Sequence, residues 1–134
     1  MFRIALITAL PLVAIACAPV EADENFVSDG PKVRVVGEAE SCISIPRIRT
    51  SRVRDDRTID FEMSGGKVYR NTLPGRCPRL GFEESFTYET SLSRLCNTDI
   101  IYPLESIGGR LQRGAGCGLG DFVPVEYVKD DAEE

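Results

Sequence analysis

The sequence predicts a mainly β fold, a small antiparallel β-barrel or sandwich stapled by two disulfides. Short runs of β-branched and aromatic residues recur along the chain, and turn segments rich in glycine or aspartate separate them. After the first sixteen residues, no stretch keeps a helical periodicity over several turns. The chain has 134 residues, five cysteines and no tryptophan, so we expect a small core that depends on disulfides for stability.

Residues 1–16 have the pattern of a signal peptide. Arg3 supplies a positive charge, an apolar run extends from residue 4 to residue 15, and small residues lead into Cys17. This run is shorter than the roughly 20 residues that a membrane-spanning helix needs. We therefore expect the segment to direct export and to be removed.

The residues Ala14-Ile15-Ala16-Cys17 fit two cleavage reactions. They satisfy the small-x-small rule of ordinary signal cleavage. They also resemble the bacterial lipobox, whose cysteine is lipidated, although Ala14 stands where that motif usually has leucine. An odd cysteine count in an exported protein leaves one thiol without a partner, and a lipid on Cys17 would account for it. We expect a lipoprotein, with ordinary secretion as the alternative.

Acidic residues are concentrated near both ends of the chain. We divide it into an acidic tether (17–31), a disulfide-stapled β domain (32–126) and an acidic tail (127–134). Cleavage before Cys17 removes Arg3 and changes the formal net charge from −5 to −6. This balance predicts no nucleic-acid partner, because nucleic-acid binding needs a basic face.

The clearest hairpin lies within residues 51–63. A three-residue turn, Asp55-Asp56-Arg57, places Val53 opposite Ile59 and Arg52 opposite Asp60. This register creates an apolar face and a charged outer face, formed respectively by Val53, Ile59, Phe61 and Met63, and by Arg52, Asp60 and Glu62.

Weaker signals mark the remaining elements. Residues 33–36 and 42–48 are rich in β-branched side chains, and Pro46 is expected at a bulge or a sheet edge. Glycines at 65–66 and 108–109 predict tight turns, and further strands are expected at 67–73, 85–90 and 100–102. The first of these turns leaves open which face carries Tyr69. Alternating glycines at 114, 116, 118 and 120 predict close backbone approach beside Cys117.

Four cysteines remain for disulfides: Cys42, Cys77, Cys96 and Cys117. They allow three pairings. We favour Cys77–Cys96, which would tie a long loop to a neighbouring strand, and Cys42–Cys117, which would join the first core strand to the last. The spacing lacks Cys-x-x-Cys and so does not predict a zinc ribbon or a redox motif.

From residue 40 to about residue 124, several short motifs occur in a fixed order: Cys42-Ile43, Asp55-Asp56-Arg57-Thr58, Phe61-Glu62-Met63, Gly65-Gly66, Leu73-Pro74, Cys77-Pro78, Leu80-Gly81-Phe82, Leu95-Cys96, Asp99-Ile100-Ile101 and Cys117-Gly118-Leu119-Gly120-Asp121-Phe122. This combination resembles a family of small exported bacterial proteins catalogued as a domain of unknown function. The resemblance implies an exported, cysteine-paired domain and brings no activity with it.

The composition restricts the available chemistry. The chain has no histidine, which excludes Ser-His and Cys-His nucleophilic sites and histidine metal ligands. The carboxylates Asp55, Asp56, Asp60 and Glu62 are compatible with acid–base or calcium roles. The sequence favours turn formation for the first two and surface ion pairing for the others. We therefore expect no catalytic residue, no metal and no cofactor.

Arginines provide the candidate binding residues. The densest basic stretch is Arg47, Arg49, Arg52, Arg54 and Arg57, and two more arginines flank Cys77 at positions 76 and 79. We single out four as candidates for binding an anionic envelope component or an acidic protein: Arg47, Arg49, Arg52 and Arg79. The simpler alternative is a solvated strand face on which arginines pair with Asp60 and Glu62.

These observations predict a non-catalytic lipoprotein of the bacterial cell envelope, facing the periplasm from a membrane and acting by binding. One alternative is a periplasmic inhibitor of a basic hydrolase such as lysozyme, with Asp55 and Asp56 facing the enzyme's cleft. The other alternative is a small hydrolase that uses Asp60 and Glu62. A soluble periplasmic or secreted form is the alternative location.

Overall fold

The computed structural model describes residues 25–129. The predicted signal peptide, Cys17, most of the tether and the tail from residue 130 onward lie outside the described residues. The strands are β1 (Val33–Val35), β2 (Cys42–Ser44), β3 (Ile48–Val53), β4 (Thr58–Met63), β5 (Val68–Thr72), β6 (Phe86–Tyr88), β7 (Arg94–Cys96), β8 (Ile100–Ile107), β9 (Arg110–Arg113), β10 (Cys117–Gly118) and β11 (Phe122–Tyr127). A 3₁₀ turn covers Ile45–Arg47 and a short helix, α1, covers Leu80–Glu83.

These strands form three antiparallel sheets. The largest has the order β1-β11-β5-β4-β3, the second contains β10-β8-β6 with β9 on β8, and the third pairs β2 with β7. The prediction of a mainly β fold with two disulfides is confirmed, and the sheets do not close into a barrel. The two disulfides indicate an oxidising, extracytoplasmic environment. None of the helices in residues 25–129 has the length and hydropathy needed to cross a membrane.

The β3–β4 hairpin has the predicted register. Arg52 lies opposite Asp60 and Val53 lies opposite Ile59, and the Arg54 amide closes the turn by donating to the Thr58 carbonyl at 2.8 Å. The Asp55 side chain stabilises the turn, because its Oδ1 accepts a hydrogen bond from the Arg57 amide at 2.7 Å. The alternation of apolar and polar residues and the turn-forming residues were sufficient to predict this register, because the contacts of the hairpin are local.

The core lies on the Phe61 face of the five-stranded sheet. Phe61 is fully buried, and its ring meets Phe122 at 5.6 Å and Phe86 at 6.3 Å, both edge to face. The question left open for Tyr69 is resolved by the β4–β5 turn, in which the Met63 amide donates to the Lys67 carbonyl at 2.8 Å. Tyr69 therefore lies opposite Phe61 on the core face and is only 6% exposed.

The prediction that Asp60 lies on the outer, solvent-exposed face of the hairpin is wrong. This residue is fully buried, because the second face of the sheet is covered by arginine side chains and by the segment 28–31. The Pro31 carbonyl accepts Arg70 Nη2 at 3.0 Å, and Ser28 Oγ donates to Asp55 Oδ2 at 2.9 Å. The end of the predicted tether thus contacts the domain. The expected surface ion pairing applies to Arg52 and Glu62, which meet at 2.7 Å.

The favoured cysteine pairing is wrong, although all four cysteines form disulfides as expected. Cys42 bonds Cys96 and Cys77 bonds Cys117. The first bond follows from the pairing of β2 with β7, in which residues 42 and 96 are directly opposite. The sequence separation across that bond is 54 residues, so no local pattern indicates that these two strands are neighbours.

The glycine run permits close backbone approach at its last member. A Cβ at Gly120 would lie 2.2 Å from the Thr72 carbonyl oxygen. The fully buried side chain of Asn71 holds this contact, since it donates to the Gly120 carbonyl at 2.7 Å and accepts the Gly120 amide at 2.8 Å. The predicted approach is confirmed there, whereas a Cβ at Gly118 would meet nothing within 4 Å.

We expect Gly120→Ala to lower the free energy of unfolding by about 1–3 kcal/mol, because the added methyl group must displace the backbone of β5. Gly118→Ala is the matched control and should change stability by less than about 1 kcal/mol. Urea denaturation of both variants measures the difference. Equal midpoints for the two variants would contradict the assignment of Gly120 as the point of close approach.

Candidate anion-binding site

The described residues contain one buried ion cluster, formed by Asp60, Arg54, Arg70 and Tyr127. Arg70 donates two hydrogen bonds to the Asp60 carboxylate, from Nε to Oδ1 at 2.7 Å and from Nη2 to Oδ2 at 3.0 Å. Arg54 Nε donates to Oδ2 at 2.9 Å, and the Tyr127 hydroxyl donates to the same oxygen at 3.1 Å. Arg54 Nη2 also donates to the Tyr127 oxygen at 3.0 Å. The cluster links β4, β5 and β11 to Arg54, the residue that follows β3.

These contacts give Asp60 a structural role. Burial alone would raise the pKa of Asp60, but hydrogen bonds from Arg70 and Arg54 hold that pKa below its ordinary value. The carboxylate is inaccessible and accepts four hydrogen bonds from its own chain. It is therefore inaccessible to a substrate. Glu62, the other carboxylate of the hydrolase hypothesis, is held by Arg52 on the surface.

The Asp55-Asp56-Arg57 turn is also engaged by its own chain. Asp55 Oδ2 accepts Ser28 Oγ at 2.9 Å and the Asp29 amide at 3.0 Å. Arg57 donates to the carbonyls of Leu73 and Pro74 at 3.2 and 3.1 Å. This turn consequently joins residues 28–29 to residues 73–74.

Asp56 completes that junction on the side of α1. Its Oδ1 accepts the Gly81 amide and its Oδ2 accepts Arg76 Nε, both at 2.8 Å. Burial would raise the pKa of Asp56, but the bonds from Gly81 and Arg76 lower it. Both carboxylates proposed to face a lysozyme cleft thus hold the fold together. Within residues 25–129, no group of three or more acidic or cysteine side chains is arranged to hold a metal.

The four candidate arginines lie in different surroundings. Arg52 is paired with Glu62, and Arg79 is paired with Glu83 on α1 and lies 5.4 Å from the centre of the Phe82 ring. Arg49 is exposed on β3, an edge strand of the largest sheet. Arg47 lines a cleft.

We call this cleft the Arg47–Lys67 pocket. It has a volume of about 340 Å³ and is lined by Glu40, Cys42, Ile43, Ser44, Arg47, Met63, Lys67 and Tyr69. The volume lies near the lower end of the range of roughly 300–1,000 Å³ that is typical of small-molecule sites. A larger groove of about 540 Å³ beside the Asp55 turn is lined mainly by charges that the turn already uses.

Local structure brings the two cations together. Pro46 lies within the 3₁₀ turn Ile45–Arg47, rather than at the bulge or edge that the sequence predicts, and its fixed φ suits the start of such a turn. The Arg47 carbonyl then accepts the Ser64 amide at 2.8 Å, which fixes this turn against the β4–β5 turn. Lys67 is the residue that follows that second turn.

The floor of the pocket is apolar and well packed. Ile43 is 3% exposed, and Met63 and Tyr69 are each 6% exposed. Lys67 Nζ lies 4.8 Å from the centre of the Tyr69 ring, and hydrogen bonding with the Tyr69 side chain raises the pKa of Lys67. Lys67 therefore carries its positive charge throughout the physiological pH range.

Neither cation of the pocket is neutralised by an ion pair within residues 25–129, because no carboxylate there lies at salt-bridge distance from Arg47 or Lys67. Glu40, at the rim, attracts Lys67 over a longer distance. The arrangement is thus suited to a negatively charged group that bridges the two cations.

Sequence reasoning found Arg47 and missed Lys67. The lysine lies outside the arginine-rich stretch. The predicted turn at residues 64–66 nevertheless places Lys67 opposite Met63, and Met63 pairs on its other side with Ile48, the neighbour of Arg47. Extending that hairpin to the residues flanking its turn could have found the pair. Comparison with known proteins found no family model, no curated protein and no solved structure that matches this chain.

Proposed function

We propose that this chain is a non-catalytic binding module of the bacterial cell envelope, held at a membrane by a lipid on Cys17 and facing the periplasm. Its ligand is an anionic envelope component, bound in the Arg47–Lys67 pocket. The observation that carries this proposal is the pair of cations, neither of which has an ion-pair partner within residues 25–129, beside the buried apolar residues of the pocket. The two disulfides support an extracytoplasmic location.

Charge and preorganisation favour binding over catalysis at this pocket. Arg47 offers a planar fork of donors and Lys67 a compact ammonium, and the two differ in the geometry of anion that each prefers. Hydrogen bonds to a charged group contribute roughly 1.5–3 kcal/mol each. The backbone bond from Ser64 to the Arg47 carbonyl fixes the main chain that carries one of the cations before a ligand arrives.

We expect Arg47→Ala and Lys67→Ala each to weaken the binding of inorganic phosphate to the mature protein by about tenfold, a loss of roughly 1.4 kcal/mol. Titration followed by NMR chemical shifts of the backbone amides of residues 43–47 and 63–69 measures the affinity. Raising the ionic strength should weaken binding further, because solvent-exposed charges are screened within about 10 Å at 0.1 M salt.

Arg110→Ala is the matched control, since Arg110 is an exposed arginine on β9 that does not line the pocket. Its affinity for phosphate should equal that of the unmodified protein. Identical phosphate affinities in all three variants, or no shifts around the pocket, would reject anion binding there. Lipid attachment is tested separately by mass spectrometry of the mature N-terminus, where an unacylated Cys17 would reject the anchor.

A further inference from the structure

The Arg47–Lys67 pocket contains a carboxylate that an inorganic anion does not need. Glu40 lies at the rim and attracts Lys67, so its charge would repel a bare phosphate bound beside that lysine. The position of Glu40 is fixed by its backbone, which exchanges hydrogen bonds of 2.8 and 2.9 Å with Phe122. An exposed carboxylate held there can accept hydrogen bonds from a ligand that carries donor groups beside its negative charge.

Ser44 supplies a second uncommitted polar group. It stands at the start of the 3₁₀ turn, where a serine hydroxyl commonly caps the first amides. In this structure the Ser44 side chain makes no capping hydrogen bond. Ser44 is one of the residues that line the pocket, and a serine hydroxyl can both donate and accept.

The floor adds a third constraint. Ile43 and Met63 present apolar atoms, and one face of the Tyr69 ring is occupied by Lys67. Because Tyr69 is also only 6% exposed, a planar base lacks a free aromatic face for stacking, which disfavours a nucleotide. A ring with apolar C–H groups on its faces and hydroxyls on its edge is compatible with such a floor.

Resting on the anion binding proposed above, we infer that the pocket binds a phosphorylated saccharide. The phosphate lies at Arg47 and Lys67, and the ring hydroxyls donate to Glu40 and exchange hydrogen bonds with Ser44. The same chemistry occurs in a free sugar phosphate and in the headgroup of a phosphorylated glycolipid. The volume of about 340 Å³ accommodates one sugar ring with its phosphate rather than a polymer.

Calorimetric titration of the mature protein with glucose 1-phosphate, inorganic phosphate and methyl glucoside tests this inference. Glucose 1-phosphate should bind about tenfold more tightly than inorganic phosphate, because the sugar adds hydrogen bonds to Glu40 and Ser44. Methyl glucoside, which lacks the charge, should bind more weakly than either anion. Circular dichroism confirms that each variant is folded.

Glu40→Gln provides the decisive contrast. It should weaken glucose 1-phosphate binding by about threefold or more, because the amide is a weaker acceptor than the carboxylate, and it should strengthen inorganic phosphate binding. Ser44→Ala should weaken only the sugar phosphate. Arg110→Ala should change neither. Opposite shifts for the two ligands identify the role of Glu40 as hydroxyl recognition.

Equal affinities for the two anions, with Glu40→Gln shifting both in the same direction, would overturn the saccharide inference and leave anion binding intact. Absence of binding by both anions would overturn the proposed function as well. In a second arm, the Cys17→Ala protein, which lacks the lipid attachment site, is mixed with phosphatidylcholine vesicles with and without a phosphorylated glycolipid to distinguish the sources. Binding only to vesicles that carry the glycolipid assigns a membrane headgroup, and binding to glucose 1-phosphate with no preference for those vesicles assigns a free sugar phosphate.

Discussion

Asp60→Asn is expected to lower the free energy of unfolding by about 3–5 kcal/mol, the usual cost of removing one partner from a buried ion pair. The amide keeps the size of the side chain but loses its charge. It leaves Arg70, which is 11% exposed, and Arg54, which is 22% exposed, without a counter-charge in the sheet. Urea denaturation followed by circular dichroism measures the change.

Glu62→Gln is the matched control for this substitution. Glu62 lies two residues along the same strand, and its partner Arg52 is half exposed, so solvent screens the pair. We expect the control to lose less than about 1 kcal/mol. If both variants lost the same stability, the Asp60 cluster would be no more important than a surface ion pair, and its assignment as the internal link of the sheet would fail.

The same cluster predicts the acid response of the protein. An aspartate in the unfolded chain has a pKa of about 3.9. The pKa of Asp60 in the folded protein is lower than this unfolded-state value. The contribution of its charge to stability is therefore fully present above the unfolded-state pKa. The contribution is lost as the pH falls from about 4 through the folded-state pKa. Asp56 acts in the same direction.

Stability measured between pH 2 and pH 7 should therefore fall steeply on the acid side in the unmodified protein. In Asp60→Asn the fall should be shallower, since one of the responsible carboxylates is gone. Parallel pH curves for the two proteins would show that Asp60 does not have a lowered pKa in the folded state. The remaining acid sensitivity of the variant reports on carboxylates such as Asp56.

The burial of Asp60 illustrates what the sequence does not contain. Alternation along β4 correctly divided its side chains between two faces, because that division depends on neighbours within one hairpin. It could not show that the second face would be covered by residues 28–31, which come from a segment with the composition of a linker. A tether in solvent and a segment that packs on the sheet differ only in contacts with residues far away in the sequence. Local composition does not encode those contacts.

The candidate site likewise has a part that the sequence predicts and a part that only the fold reveals. Arg47 was identified from charge density, and its position above an apolar floor required the 3₁₀ turn at Pro46 and the β4–β5 turn together. Glu40 and Ser44 carried no signal in the sequence, because a single glutamate and a single serine are ordinary surface residues. Their importance follows only from the pocket that three separate chain segments create.

The second large effect is expected from the Cys77–Cys117 disulfide. Its sequence separation is 40 residues, and a cross-link of that span is expected to stabilise the fold by about 4 kcal/mol through restriction of the unfolded chain. Cys77 is also fully buried in the core, so Cys77→Ala with Cys117→Ala removes packing as well. Urea denaturation of this double variant should give a loss of about 4 kcal/mol or more.

Removing Cys42 and Cys96 instead should affect binding more specifically. That bond has a similar span, but both cysteines are only half buried, and Cys42 lines the Arg47–Lys67 pocket. We expect the Cys42→Ala, Cys96→Ala variant to lose affinity for phosphate under conditions in which it is still folded. The Cys77→Ala, Cys117→Ala variant should keep its phosphate affinity at temperatures where it is folded. Peptide mapping of the unmodified protein that found residues 42 and 117 joined would refute both expectations, because β2 would then have no covalent tie to β7 and the wall of the pocket would be formed differently.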